Sequence, residues 1–232
     1  MTVFQIKQLA ERAMQGAPTG VRWNYDRAEL WADGVVHAIG VGGGLIAAAV
    51  LVTLACVFAT PAEIAAVSIY VVGLMSMLAI SATYNLLPVS RYKWLLRRFD
   101  HSAIYVLIAA TYTPFITQME QGVVPIALLT GVWSVAVAGV VLKLFFPGRF
   151  DRISIGLYLA MGWSGVMVYD TIANALPSLT MWLIAAGGIL YSAGVIFHVW
   201  ERLRFQNAIW HSFVLLGAAC HYSAVLDLIL AA

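Results

Sequence analysis

Residues 123–145 read VVPIALLTGVWSVAVAGVVLKLF, with Lys143 as the single charged side chain of the stretch. An α-helix needs about 20 predominantly apolar residues to cross the hydrocarbon core of a bilayer. The stretch has that length, and it lacks the alternation with a period of two residues that a strand of a transmembrane barrel would show. It therefore predicts a membrane-spanning α-helix.

The rest of the chain has the same apolar character. Of its 232 residues, 62% are hydrophobic and only 10% are charged, whereas about a quarter of a soluble domain is charged. Since there are too few polar side chains to cover a surface in water, we expect a multi-pass protein of the cell membrane, the inner membrane in a bacterium. The net charge of only +2 gives no indication of a nucleic-acid partner, and membrane lipids are the expected partners.

Six further segments have similar length and composition, so the predicted fold class is an all-α bundle of seven transmembrane helices. The seven predicted segments are 35–58, 62–87, 100–118, 123–145, 152–170, 179–199 and 208–230. We divide the chain into an N-terminal segment, 1–34, and a transmembrane domain, 35–232. The apolar residues of 3–13 fall on one helical face, so this part is either an amphipathic helix on the membrane surface or a frayed tail.

The basic residues predict the orientation of the bundle. All 13 lysines and arginines precede the first segment or lie in or beside the connections between segments two and three, four and five, or six and seven, with Lys143 and Arg152 at the facing ends of segments four and five. The other connections and the C-terminus have none. Because cytoplasmic loops are enriched in lysine and arginine, we expect a cytoplasmic N-terminus and a C-terminus on the outer side.

Three dense polar groupings border these apolar segments. They are Ser81-Ala-Thr-Tyr-Asn85, Arg98-Phe-Asp-His101 and Asn207-Ala-Ile-Trp-His211. The predicted topology places all three at the cytoplasmic end of the bundle. Ionisable groups inside a membrane are costly and commonly mark a functional site, so we expect the polar side chains to line one cavity.

Other interpretations of single residues stay open. Asp100 and His101 can also be interfacial residues that reach lipid headgroups, and we favour that for His101 and for His198. His37, with Asp33 and Glu29 shortly before it, lies at the same cytoplasmic end and fits either a site or a packing role.

At these residues the chain resembles the hemolysin III family, the bacterial branch of the seven-helix progestin and adiponectin receptor group. That group belongs with the alkaline ceramidases in a larger set of membrane hydrolases. The resemblance covers nearly everything from Glu29 onward. The residues on which the resemblance rests are Glu29 with His37, Ser81 to Asn85, Asp100 to Tyr105, Thr111-Tyr-Thr-Pro114, Gly187 to Tyr191, and Asn207 to His211 through His221.

The resemblance implies a zinc site, altered in this chain. The family has histidine at the positions of Asn85 and Asn207, and with the position of His211 these form a set of three imidazole ligands. The resemblance also implies that Asp100 orients a water molecule and that Ser81 supports it as candidate catalytic residues. Because asparagine is a poor zinc ligand beside imidazole, we expect a degraded site, with no cofactor bound or with zinc held by fewer or other ligands, His37 or His101 among them.

Three functions are consistent with these residues. The first is a role in membrane and lipid homeostasis by sensing or binding a lipid without catalysis. The second is a zinc-dependent lipid amidase or esterase, similar to a ceramidase, so the sequence leaves open whether the protein is an enzyme. The third is a pore, as the family's hemolysin name implies, although His221 is the only ionisable side chain that the pattern places near mid-bilayer.

Overall fold

A computed structural model of the protein describes residues 25–120 and 122–231. Within these residues the secondary structure is entirely helical, as the sequence predicts. The helices are α1 (Arg27–Phe58), α2 (Pro61–Leu86), α3 (Arg91–Ile116), α4 (Val123–Phe145), α5 (Asp151–Gly162), a 3₁₀-helix (Ser164–Val168), α6 (Tyr169–Ala175), α7 (Ser178–Val199) and α8 (Gln206–Ala231). The amphipathic pattern of residues 3–13 lies outside the described part of the chain.

Short capping sequences define where the first three helices begin. At α1, the carboxylate of Asp26 accepts from the backbone N–H of Glu29, and Glu29 in turn accepts from the N–H of Asp26, each at 2.9 Å. The hydrogen bond from the Glu29 N–H holds the pKa of Asp26 below its usual value. Thr60 and Glu63 form the same capping box at α2, and Ser90 caps α3. Such pairs satisfy backbone donors that have no partner in the first turn of a helix.

Two helices extend well beyond the predicted apolar segments. Helix α1 begins at Arg27, eight residues before position 35, and α3 begins at Arg91, nine residues before position 100. Both extensions are polar, so hydropathy alone excludes them although the chain continues as a helix. As a result, the polar residues of 29–37 and 97–101 lie on regular helices, and the helix fixes the direction in which each side chain projects.

The fifth predicted segment is interrupted. Where 152–170 was expected to be one helix, α5 ends at Gly162 and the chain continues through the 3₁₀-helix into α6. The phenolic oxygen of Tyr112 lies at this break, where it is 3.0 Å from the Met161 carbonyl and 2.9 Å from the Gly162 carbonyl, and accepts from the Gly165 N–H at 3.0 Å. The side chain from α3 therefore replaces hydrogen bonds that the broken helix loses.

Five of the described helices, α1, α2, α4, α7 and α8, are long and apolar enough to cross a membrane. When α5, the 3₁₀-helix and α6 are counted as one interrupted segment, the helices form seven segments, which agrees with the predicted number. Large apolar side chains such as Met167, Val123 and Trp182 are 88%, 83% and 75% exposed. An apolar outer surface of this kind fits a lipid environment.

The helices pack around two apolar clusters. Helix α2 lies between α1 and α3, α3 packs on α4, and α8 packs on α7 and α1. One cluster includes Tyr70 and Val225, both fully buried, and the other surrounds Tyr105 between α3, α4 and α5. This arrangement brings the first turns of α1, α3 and α8 and the last turns of α2 and α4 to one end of the bundle.

Some glycines of the helices lie at close contacts and others do not. A Cβ atom at Gly44 would lie 2.6 Å from the Leu78 side chain, and one at Gly187 would overlap the His221 ring. By contrast, a Cβ atom at Gly42 or Gly43 would meet nothing within 4 Å, so packing among the described residues does not require glycine at these two positions.

Candidate metal centre

Asp33 and His37 are two buried polar residues on the same face of α1. They are four residues apart, so their side chains project from neighbouring turns, and they are 5% and 6% exposed. The Nε2 atom of His37 lies 3.7 Å from Oδ2 of Asp33, which is too long for a hydrogen bond. No described atom makes a hydrogen bond with His37 Nε2, although the atom is buried.

His211, on α8, completes the cluster. Its Nδ1 atom lies 2.6 Å from Oδ1 of Asp33, and its ring centroid lies 4.5 Å from that of His37. One potential ligand atom from each of Asp33, His37 and His211 falls within 4.8 Å of the other two. The three residues therefore form a candidate metal-binding triad in the buried interface between α1 and α8.

The triad fits a transition metal in its chemistry. Two imidazoles and one carboxylate are a donor set that zinc commonly uses when one coordination position stays open. The unpartnered Nε2 of His37 is a buried polar atom of the type that a metal ion would satisfy. Two ligands of a tetrahedral zinc ion lie roughly 3.3 Å apart, so the 2.6 Å contact between Asp33 and His211 is a hydrogen bond, and metal binding requires these two side chains to separate slightly.

Ser81 and Asn85 lie on α2, one turn apart, and interact with each other. The Asn85 side-chain amide donates to the Ser81 carbonyl at 3.0 Å and to the Ser81 hydroxyl at 3.3 Å. The Asn85 backbone carbonyl accepts from the ammonium group of Lys93 at 3.2 Å. The asparagine amide is thus engaged within its own helix.

Asp100, on α3, lies close to the triad. Its carboxylate is within electrostatic range of the imidazole of His211, the hydroxyl of Ser81, the guanidinium of Arg97 and the carboxylate of Asp33. Helices α1, α2, α3 and α8 thereby contribute polar side chains to one end of the bundle. A function for Ser81, Asn85 and Asp100 in this cluster stays a prediction.

Asn207 lies one turn before His211 but faces a different partner. Its side-chain oxygen accepts from the hydroxyl of Tyr25 at 3.4 Å. Asn207, Glu29 and Asp33 line a cavity of about 10 Å³, which is space for about one water molecule. In the described residues, the asparagines at the two expected ligand positions therefore make hydrogen bonds to Ser81 and Tyr25.

Glu29 connects the loop before α8 to α1. Its Oε1 atom accepts from the backbone N–H of Phe205 at 3.1 Å. Phe205 has a φ angle of 58°, a left-handed conformation that large side chains rarely adopt. This hydrogen bond helps to hold the beginning of α8, and with it His211, against α1.

The other two candidate histidines lie elsewhere. His101 is 3.9 Å from the carboxylate of Asp151, in a separate cluster between α3, α4 and α5. The ring of His198 contacts that of Trp210, with 4.8 Å between centroids. The ligand set that the resemblance implies did not include Asp33. The sequence signal for Asp33 and His37 is their spacing by one helical turn. The sequence does not show, however, that α1 packs on α8.

Comparison with known proteins gives a consistent result. The sequence profile of the family described as "Haemolysin-III related" matches residues 28–222. The chain is 38% identical over 195 residues to the hemolysin-3 homolog of Bacillus subtilis (strain 168), an alignment that covers 84% of this chain and 92% of that protein. No solved structure matches the chain.

More distant relatives come from eukaryotes. The human monocyte to macrophage differentiation factor is 30% identical over 165 residues, covering 68% of this chain and 67% of that protein. The heptahelical transmembrane protein ADIPOR2 of Oryza sativa subsp. japonica is 29% identical over 180 residues, covering 68% of this chain and 79% of that protein. The protein is therefore a multi-pass membrane protein that belongs to the haemolysin-III related family.

Proposed function

We propose that this protein is a zinc-dependent membrane hydrolase that cleaves an amide or ester bond of a lipid. The observation that supports the proposal is the triad of Asp33, His37 and His211 between α1 and α8, in which the buried Nε2 of His37 has no hydrogen-bond partner among the described residues. These residues would hold the metal in place of the altered set at the positions of Asn85 and Asn207. In such a site zinc polarises a carbonyl group and makes water a stronger nucleophile near neutral pH.

The chain itself supplies the groups for the proton transfers. Hydrolysis adds water to the carbonyl carbon, breaks its bond to nitrogen or oxygen, and moves a proton from the water to the leaving amine or alcohol. Asp100 is suited to accept that proton and return it, because its carboxylate is close to both His211 and Ser81. The hydroxyl of Ser81 can orient the carboxylate by donating to it.

The position of the triad favours a lipid as the substrate. The triad lies in helices whose outer faces are apolar, near one end of the bundle, where the polar part of a lipid meets water. The relative from rice is named a heptahelical transmembrane protein, and we propose seven membrane-spanning segments here too, with the N-terminus in the cytoplasm. The reacting bond of a membrane lipid would then approach from the cytoplasmic half of the bilayer.

Lipid binding without turnover is a second candidate. It is favoured by the contact of 2.6 Å between Asp33 and His211, which already satisfies both groups without a metal. Asn85 and Asn207 make separate hydrogen bonds at the same end of the bundle, to Ser81 and Tyr25. A polar network of this kind can bind a headgroup amide or hydroxyl without a catalytic ion.

Metal content and turnover distinguish the two candidates. The purified protein in detergent is analysed for zinc by mass spectrometry, and the release of fatty acid is measured from an N-acylsphingosine and from a phosphatidylcholine in mixed micelles. We expect about one zinc ion per chain and fatty-acid release that stops after chelation and returns when zinc is added. Zinc without turnover of either lipid would favour binding alone, and a protein that takes up no zinc would refute the proposal.

A further inference from the structure

A second charged cluster joins α3, α4 and the start of α5. The carboxylate of Asp151 accepts from Arg97 at 2.8 Å and from Lys143 at 2.6 Å. The side chains of Arg97 and Lys143 are 11% and 4% exposed. Asp151 therefore neutralises one of two nearly buried cations.

Arg98 adds a third cation to this cluster. One of its terminal nitrogens donates to the Leu144 carbonyl at 3.2 Å. Its Nε atom is buried without a hydrogen-bond partner in the described part of the chain. Asp151 pairs with two of these three cations and Asp100 lies within electrostatic range of Arg97, so one positive charge is left in excess. In addition, an arginine N–H, a strong obligatory donor, has no acceptor among the described residues.

Arg98, which carries the unpartnered donor, lines a cavity. The cavity has a volume of about 90 Å³, well above the 10–15 Å³ that one water needs. Trp94, Arg97, Arg98, His101 and Lys143 line it, and residues 147–148 close one side. Gly148 has a φ of 77°, which favours glycine and allows the tight turn between α4 and α5 to form this wall.

We propose that this cavity binds a phosphate group, presented by an anionic phospholipid. Arginine binds phosphate oxygens through a planar fork of donors, and the cluster carries the excess positive charge that an anion requires. Basic pockets between transmembrane helices at the cytoplasmic side are suited to anionic headgroups. The phosphate would accept from Arg98 Nε and complete the charge balance.

The surroundings indicate a lipid as the source of the phosphate. Phe145 and Phe146, which follow Lys143 at the end of α4, are 72% and 47% exposed, and Phe99 on α3 is 41% exposed. These apolar side chains border the cluster and can contact acyl chains, which a soluble phosphate lacks. The proposal does not depend on the metal triad or on hydrolase activity.

Native mass spectrometry of the detergent-purified protein tests the proposal. The protein is mixed with phosphatidylglycerol, phosphatidylcholine or inorganic phosphate. We expect phosphatidylglycerol to bind several-fold more tightly than phosphatidylcholine. The substitution Arg98→Gln should reduce its affinity about tenfold, because a hydrogen bond to a charged group contributes roughly 1.5–3 kcal/mol.

Two further variants control for charge and folding. Arg152→Gln removes the same charge from an exposed position near the start of α5 that does not line the cavity, and it should leave phosphatidylglycerol binding unchanged. Arg98→Lys keeps the positive charge but loses the planar N–H donors of the guanidinium, so its affinity for phosphatidylglycerol should lie between those of the unaltered protein and Arg98→Gln. The melting temperature of each variant, measured in the same detergent, shows whether the fold is intact.

The outcomes distinguish a phospholipid from inorganic phosphate as the source of the bound phosphate group. Preferential phosphatidylglycerol binding that depends on Arg98 supports the proposal. Binding of inorganic phosphate that depends on Arg98, without a preference for phosphatidylglycerol, would overturn the lipid source. Equal losses for Arg98→Gln and Arg152→Gln would overturn the site itself, since the effect would be one of general charge.

Discussion

Asp33 is the residue on which the chemistry of the triad depends. Its two carboxylate oxygens face two different imidazoles, at 2.6 Å from His211 and 3.7 Å from His37. Without a metal the carboxylate can hold the His211 ring through a proton, and with a metal the same oxygens can act as ligands. The hydrogen-bonded and the metal-binding arrangements of Asp33 differ by a side-chain movement of less than about 1 Å, because two ligand atoms of a tetrahedral zinc ion lie roughly 3.3 Å apart.

The substitution Asp33→Asn should lower zinc affinity at least about tenfold, because it replaces a charged ligand with a weakly coordinating amide. Zinc binding can be measured by competition with a chromogenic chelator. Asp26→Asn is the matched control, since Asp26 is exposed and asparagine caps a helix as well as aspartate does. If both variants bind zinc as the unaltered protein does, Asp33 is not a ligand.

Histidines at the two asparagine positions test the other ligand set. In the Asp33→Asn background, Asn85→His together with Asn207→His should restore zinc binding, because His211 would gain two imidazole partners. Each single change should restore less, because ligands of one site act jointly. Zinc binding is measured by the same competition. A double variant that still binds no zinc would show that positions 85, 207 and 211 do not converge on one ion.

At the scale of single elements, α4 is held against α3 by a contact that needs glycine. The Tyr105 side chain is fully buried, and a Cβ atom at Gly139 would lie 2.5 Å from its ring. At Gly131, on the same helix, a Cβ atom would meet nothing within 4 Å. The two positions therefore offer the same substitution in a crowded and in an open environment.

Gly139→Ala should destabilise the protein by about 1–3 kcal/mol, since an overpacked contact forces backbone or ring to move. Gly131→Ala should leave stability unchanged or raise it, because alanine favours the helix. The midpoint of thermal unfolding in detergent, followed by tryptophan fluorescence, measures both. Equal midpoints for the two variants would contradict the close contact between α3 and α4.

The bounds of a helix were predictable from the sequence where the helix begins and ends with its apolar segment. Residues 123–145 were predicted as one segment and form α4 with the same bounds. The start of α1 was missed although Asp26 and Glu29 form a recognisable capping pair. The break after Gly162 was not predictable, because the Tyr112 hydroxyl that satisfies it comes from α3, 50 residues earlier in the chain.

The candidate site was only partly predictable for the same physical reason. His211 and Asp100 could be chosen because ionisable groups in apolar segments are rare. Asp33 lies 178 residues from His211 in sequence, and the contact exists only because α1 packs on α8. The sequence pattern shows which face of α1 is polar but gives no partner for it.

At the scale of the whole molecule, the two ends of the bundle have different character. At one end, single hydrogen bonds connect neighbouring helices, from Gln118 to Glu63 and from Thr180 to Asp227, each at 2.6 Å. At the other end lie the triad and the cluster around Asp151. Charged and metal-ligating side chains are therefore concentrated where the sequence places all the basic residues, and α3 carries both Asp100 and Arg97 between the two clusters.

This asymmetry leads to a prediction for the orientation of the whole chain. The 13 basic residues should face the cytoplasm, because lysine and arginine are retained there during insertion. Alkaline phosphatase fused after Ala232 should therefore be active, since the enzyme folds only outside the cytoplasm, and a fusion after Arg149 should be inactive. A cytoplasmic reporter such as green fluorescent protein should give the opposite pattern at the same two positions. Active phosphatase after Arg149 would place both charged clusters at the outer face, and the proposed binding of lipids from the cytoplasmic leaflet would then be wrong.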